Sequence, residues 1–231
     1  VMLDRDKDLN WQPAKGQHTN FVPMQIENLT PTWVEDDLLE HIGKIAGECY
    51  NSSKDRDACI RRALSCIKNG HHSPWEHFNI TLKCLMDRGT SHAVVRHRHC
   101  AFQQSSTIYQ KYADGITCIS LPDIDPCTAK PVEQITSKEI TGYDDAFLTY
   151  NYLISCKMNA ARARDVLPNA LATNLIITTN VREWMYIMQR RTGGGDAVRM
   201  HVFAWLLRKF FEQTYPKITE AFDNYYLEHK I

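Results

Sequence analysis

Residues 78–86 place apolar Phe78, Ile80, Leu82, Cys84 and Met86 in alternation with Asn79, Thr81, Lys83 and Leu85. A period of two sends successive side chains to opposite faces, so the segment is a strand with one face on a core. A second β-rich run covers 171–179, Leu-Ala-Thr-Asn-Leu-Ile-Ile-Thr-Thr. A third, short strand is expected at 117–121, ended by Pro122, with a Pro- and Asp-rich loop over 122–131.

Helical patterns separate these strands. Thr32 is placed to cap a helix opening at Trp33 and running to about Tyr50, with Glu35 three residues on as in a capping box. Leu38, Leu39, Ile42 and Ile45 lie on one side of it. Ser52, Ser53 and Asp55 mark a second helix that stops at Gly70. Asp87-Arg88-Gly89 turns the first strand, and Thr90 or Ser91 opens a short helix through about His99. Further helices are expected over about 141–163, 181–191 and 196–215, the last two separated by Gly193-Gly194-Gly195. Residues 1–30 carry no sustained period and read as an arm, with 31–231 as the folded domain. The order predicts one α/β (α+β) domain: a small, mostly antiparallel sheet flanked by long helices.

Composition narrows the function classes. With 27 basic and 27 acidic residues in 231, the chain lacks the basic excess of a nucleic-acid scaffold. A single nucleotide needs only two or three placed arginines. No stretch of about 18 apolar residues exists, so no membrane span is expected. The opening Val1-Met2-Leu3-Asp4-Arg5-Asp6 lacks the apolar core of a secretory leader, and the eight cysteines form no C-x-x-C pair. Reduced thiols and a cytoplasmic location are the expectation.

Four clusters carry chemistry. In Arg96-His97-Arg98-His99, read as helical, successive side chains would diverge by about 100°, so the two arginines would serve two faces of a planar ligand or two ligands. A solvated basic helix end is the plainer alternative. Gly70-His71-His72-Ser73-Pro74-Trp75-Glu76-His77 joins a helix to the first strand. Six histidines within 71–99 raise zinc, but no H-x-x-x-H or C-x-x-C pair occurs there, so no metal is expected. Gln103-Gln104-Ser105-Ser106 offers amide and hydroxyl partners, or is an ordinary loop. Arg162, Arg164, Arg182, Arg190, Arg191 and Arg199 recur over 162–199, where guanidinium forks suit phosphate or carboxylate and surface placement is the alternative.

Arg96-His97-Arg98, seven residues, then Ser106 resembles the signature of the flavin-dependent thymidylate synthases. Other marks follow in order. His71-x-Ser73-Pro74-x-Glu76-His77 is similar to the family's G-H-x-[ST]-P-x-E-H element, and Ala163-Arg164-x-Val166-Leu167-Pro168 to its A-R-x-x-L-P element. Thr179-Asn180-x-Arg182 and Arg191 resemble its C-terminal asparagine and arginines. The register is continuous from about 35 to 215. The resemblance implies FAD, NADPH and methylenetetrahydrofolate, with one-carbon transfer to C5 of a pyrimidine deoxynucleotide and conversion of dUMP to dTMP. It implies a homotetramer with sites between subunits. By position, Ser73, Arg96, His97, Arg98, Asn180 and Arg182 would contact FAD. Gln104, Ser106, Arg164 and Arg191 would contact the nucleotide, with Ser106 and Arg191 closest to the chemistry. No cysteine nucleophile is implied, and Cys127 lacks the surroundings of one.

The nucleotide half departs from the pattern. Ile108 stands where the family has an arginine, Gln104 where it has a glutamate, and Ala93 where it has a glutamine. Gly195-Asp196-Ala197 replaces a histidine followed by Ala-Gln. The phosphate then depends on Arg164, Arg191 and Lys111, or the nucleotide differs. The alternatives are the same chemistry on dCMP, hydroxymethylation, a flavin-binding protein without turnover and, at the end of the range, a zinc-binding regulator.

Overall fold

The 78–86 alternation forms the second strand of the main sheet. The structure, a computed structural model, describes residues 14–52, 55–110, 112, 114–193 and 195–229. Ser53, Lys111, Gly194 and the first 13 residues of the arm lie outside the described residues. Strands β1 (Thr19–Val22) and β2 (Gln25–Asn28) fall inside the segment read as an arm. Helix α1 (Glu35–Gly47) and α2 (Arg56–Lys68) follow, then β3 (Asn79–Asp87), α3 (Arg88–Val94), β4 (Ala101–Gln104) and β5 (Ile116–Ile119). The chain continues through α4 (Ser137–Ser155), α5 (Ala160–Ala163), β6 (Ala172–Asn180), α6 (Val181–Arg190), α7 (Val198–Thr214) and α8 (Pro216–His229). The larger sheet has the order β2-β3-β6-β4 with every pair antiparallel; β1 and β5 form a separate parallel pair.

The mixed class and the antiparallel sheet expected from the sequence are borne out. Ile80, Leu82, Cys84 and Met86 turn inward from β3, and Leu175 and Ile177 from β6. They meet Leu38, Leu39 and Ile42 of α1, Trp184 of α6 and Phe203 and Phe211 of α7 in one core. Trp184 Nε1 donates to the Ile80 carbonyl at 3.1 Å, which satisfies a buried indole. A smaller core of Phe21, Ile116, Cys118, Phe147 and Leu171 seats the parallel pair against α4.

Several expectations fail for tertiary reasons. Thr32 caps nothing: its Oγ1 accepts from Asn28 Nδ2 at 3.1 Å, and α1 starts at Glu35 without a side-chain cap. Glu35 instead accepts from the Ile218 amide at 2.9 Å, at the start of α8. That helix was not expected; Pro216, just past the helix expected over 196–215, is its first residue, where a proline costs no hydrogen bond. The helix expected to reach His99 ends at Val94, so Arg96–His99 lie in turns and the helical-divergence argument does not apply. Its cap is Asp87, which accepts from the Thr90 amide at 2.8 Å and the Thr90 hydroxyl at 2.6 Å. Residues 101–104 pair with β6 although their composition reads as loop, because a half-exposed edge accepts polar side chains. The helix expected over 141–163 starts at Ser137, behind a Thr136–Glu139 capping box, and breaks after Ser155. The Asp55 cap and the turn at Gly70 (φ 72°) stand as expected.

Candidate functional site

Two adjoining depressions share His99, Glu183 and Tyr186. One, about 460 Å³, is walled by His72, Tyr186, Tyr225 and Tyr226, with Glu76, Asn180 and Arg182 on its rim. The other, about 480 Å³, gathers Arg96, Arg98, Arg190 and Arg191 around His97. Together they make an aromatic wall beside a cationic floor. Burial lowers the pKa of the His72 ring and pushes the Tyr226 phenol up to about 12, so both favour their uncharged forms. The His72 and Tyr225 rings meet edge to face at 4.5 Å.

The cationic floor is built from the turns after α3 and the end of α6. His97 is buried; its Nδ1 lies 3.3 Å from Glu183 Oε1, and its Nε2 accepts from Arg191 Nε at 3.0 Å. A guanidinium only donates, so Nε2 carries the lone pair and Nδ1 the proton. His97 is thereby a fixed spacer between α6 and Arg191. Arg191 also donates to the Ala93 carbonyl at 3.2 Å and faces Asp196 Oδ1 at 3.3 Å. Taking the Ala93 carbonyl out of the helix ladder accompanies the early stop of α3. Arg96 and Arg98, by contrast, are exposed and make no side-chain hydrogen bond or ion pair among the described residues.

The other candidate residues divide between this surface and the β4 loop. Asn180 caps α6, its Oδ1 accepting from the Glu183 amide at 2.9 Å. Arg182 pairs with Glu76, which sits on a 3-10 turn opened by exposed Ser73. Ser106 Oγ accepts from the Ile108 amide at 3.2 Å, and Arg164 donates to Thr107 Oγ1 at 3.2 Å, so those two candidates meet through the loop after β4. Gln104 turns inward: its Nε2 donates to Ser91 Oγ at 2.8 Å. Ser73, Gln104, Ser106 and Arg164 do not line the aromatic and cationic depressions.

Sequence reasoning missed Tyr225 and Tyr226, because α8 was not expected; the tyrosine pair one turn past Phe222 was the available signal. It also missed a third cavity of about 430 Å³, where Asp87, Thr90, Ala93, Asp196, Ala197 and Arg199 meet. Three of these, Ala93, Asp196 and Ala197, are positions where the chain departs from the family pattern.

Comparison with known proteins agrees with the signature. The family described as thymidylate synthase complementing protein matches residues 34–217. A flavin-dependent thymidylate synthase of Saccharolobus solfataricus is 28% identical over 66% of this chain and 56% of its own length, so the chain spans little more than half of that relative. One from Corynebacterium aurimucosum is 25% identical over 80% of this chain and 79% of its own. The crystal structure of a UMP/dUMP methylase, PolB from Streptomyces cacaoi, bound with 5-Br dUMP, superposes with a TM-score of 0.69 at 20% identity, covering 90% of this chain and 97% of that one. At that identity it establishes the shared fold. With a match across most of its length and in the register of the Arg96-His97-Arg98…Ser106 spacing, the chain belongs to the thymidylate synthase complementing protein family, the flavin-dependent thymidylate synthases.

Proposed function

We propose that this protein is an FAD-dependent enzyme that transfers a one-carbon group from methylenetetrahydrofolate to C5 of a pyrimidine deoxynucleotide, with NADPH as reductant. The observation that carries the reading is the pair of exposed guanidinium groups, Arg96 and Arg98, without side-chain partners among the described residues, beside the wall of Tyr186, Tyr225 and Tyr226. Unpaired arginines suit the pyrophosphate and the electron-rich edge of a reduced flavin, and an aromatic wall suits a planar ring. Bound flavin would supply the hydride. Ser73, Asn180 and Arg182 complete the flavin contacts, and His97 holds Arg191 towards the nucleotide. Gln104 at the end of β4, Ser106 in the loop after it and Arg164 in the turn after α5 lie apart from the two depressions, which fits a homotetramer whose sites are completed by a neighbouring subunit. Fixed donors around a pyrimidine whose C5 is turning nucleophilic stabilise the developing charge and hold it against the one-carbon donor.

The test is a visible spectrum of protein loaded with FAD, followed by tritium release from C5-labelled dUMP and dCMP. Flavin binding with release from one of the two is expected; neither flavin binding nor release would overturn the proposal. Light scattering should give the mass of four chains, and full turnover by a monomer would remove the shared-site reading.

A second reading keeps the chemistry and changes the base to dCMP. It rests on Gln104, whose amide is spent on Ser91, and on Ile108 and Ala93, none of which offers the charge or amide that the family places there. Direct competition between dUMP and dCMP for the flavin-loaded protein decides it, and preferential turnover of dUMP would sink it.

A further inference from the structure

Away from this surface, the 122–131 loop folds back on itself through a bridge between Ile124 and Pro131 and presents Asp125 and Cys127 to His201 of α7. His201 and Asp125 are buried, and Cys127 is partly exposed. One ligand atom from each lies within 4.8 Å of the others.

The hydrogen bonds around His201 pose a specific problem. Its Nε2 lies 2.9 Å from the Gly193 carbonyl, which can only accept, so Nε2 carries a proton. In the neutral ring Nδ1 is then a bare lone pair, yet it faces Asp125 Oδ2 at 2.7 Å. A lone pair does not sit against a carboxylate without a shared cation: at 2.7 Å that cation is a second proton, and a metal ion bonded to both atoms at about 2.0–2.2 Å would take the proton's place and open the contact beyond about 3 Å. Three features favour the metal. The Cys127 thiol lies beside the gap. The remaining Asp125 oxygen is oriented by the Cys127 and Thr128 amides, at 2.8 and 3.2 Å. The His201 Nε2–H to backbone carbonyl bond is the arrangement that fixes the tautomer of a metal-bound histidine.

We propose that Asp125, Cys127 and His201 bind a divalent transition metal of the zinc class, which displaces one proton from the histidine–aspartate contact and one from the thiol. Three donors among the described residues, one nitrogen, one sulfur and one oxygen, match zinc chemistry, in which water takes a fourth position. The Gly193 carbonyl ties this site to the loop that carries Asp196, the partner of Arg191. A metal here would brace that loop from the far side. Sequence reading weighed a metal only among the histidines of 71–99 and did not consider this group, whose Cys127 and His201 stand 74 residues apart and form no spacing motif.

The geometry does not support the other use of these groups, a thiol nucleophile with a histidine base. The free edge of the ring is committed to Gly193, and Cys127 Sγ approaches the His201 carbonyl at 3.7 Å.

Chelator-treated full-length protein is titrated with Co²⁺ and, separately, with Zn²⁺. One cobalt per chain is expected, with a thiolate-to-cobalt charge-transfer band, and zinc should displace it. The conservative variant Cys127→Ser should lose the band and weaken zinc binding more than tenfold while keeping the wild-type far-ultraviolet circular dichroism. Zinc should raise the melting temperature of wild type and leave that of Cys127→Ser unmoved. No cobalt band at micromolar metal, or a band that survives in Cys127→Ser, would overturn the proposal and leave a protonated histidine–aspartate pair in its place.

Discussion

The two arginine groups of this protein are built on opposite principles. Arg96 and Arg98 stand exposed in the turn after α3, with no polar side-chain contact among the described residues. Arg191, Arg164 and Arg199 are each tied to the protein. Arg191 holds His97, Ala93 and Asp196; Arg164 holds Thr107 and the Ala161 carbonyl; Arg199 holds the Ile119 carbonyl and lies 3.9 Å from Asp87. A guanidinium without a partner keeps its donors for a ligand and adds little to stability. One with three partners is already part of the architecture, and removing it orphans groups that were desolvated with it. The first group is therefore expected to govern ligand affinity, and the second the geometry of the site.

Arg191→Ala tests this contrast most severely. It leaves the Ala93 carbonyl and His97 Nε2 without their donor. We expect a loss of about 1–3 kcal/mol in chemical denaturation. Turnover should fall by ~100-fold or more, as for removal of a fixed donor from a reacting centre. Arg191→Ala with wild-type stability would show that its contacts are incidental.

Gln104→Glu is expected to destabilise by about 1–3 kcal/mol, although it restores the family residue. Ser91 Oγ already donates to the Arg88 carbonyl at 2.9 Å, so it meets Gln104 with a lone pair that a carboxylate would oppose. An unchanged melting temperature would mean that the side chain turns outward in solution. Combined with Ile108→Arg, it should move preference towards dUMP if wild type favours dCMP, as competition would read.

Arg98→Ala sharpens the other side. Flavin affinity should drop by more than about tenfold, measured by fluorescence titration, while stability stays within ~0.5 kcal/mol. A large stability loss with unchanged flavin affinity would reverse the assignment of the two groups.

The smallest effect is expected at Cys100, close to the signature. Burial pushes its thiol up to about 11, and those of Cys84 and Cys118 to about 12. A group whose pKa is raised this far carries almost no thiolate at neutral pH, so none of the three is a ready nucleophile. Turnover of Cys100→Ala within about twofold of wild type is expected. Abolished turnover with flavin content intact would contradict it.

What the residues themselves dictated was local. The strict alternation of 78–86 could be satisfied only by a strand with one buried face, and Asp55 and Gly70 bounded α2 because a cap and a left-handed stop act over a single turn. The Arg96-His97-Arg98…Ser106 spacing identified the family from chain order alone. The rest was settled between segments distant in sequence. The Glu35 side chain, at the first residue of α1, turned to the amide of Ile218, and α3 ended where Arg191, nearly a hundred residues on, takes the Ala93 carbonyl. Polar β4 became a strand because β6 offered an open edge. No local period records which distant partner will claim a donor, an acceptor or a strand edge. That choice falls to packing, because burial makes an unpaired polar group costly and so selects the arrangement in which such groups meet.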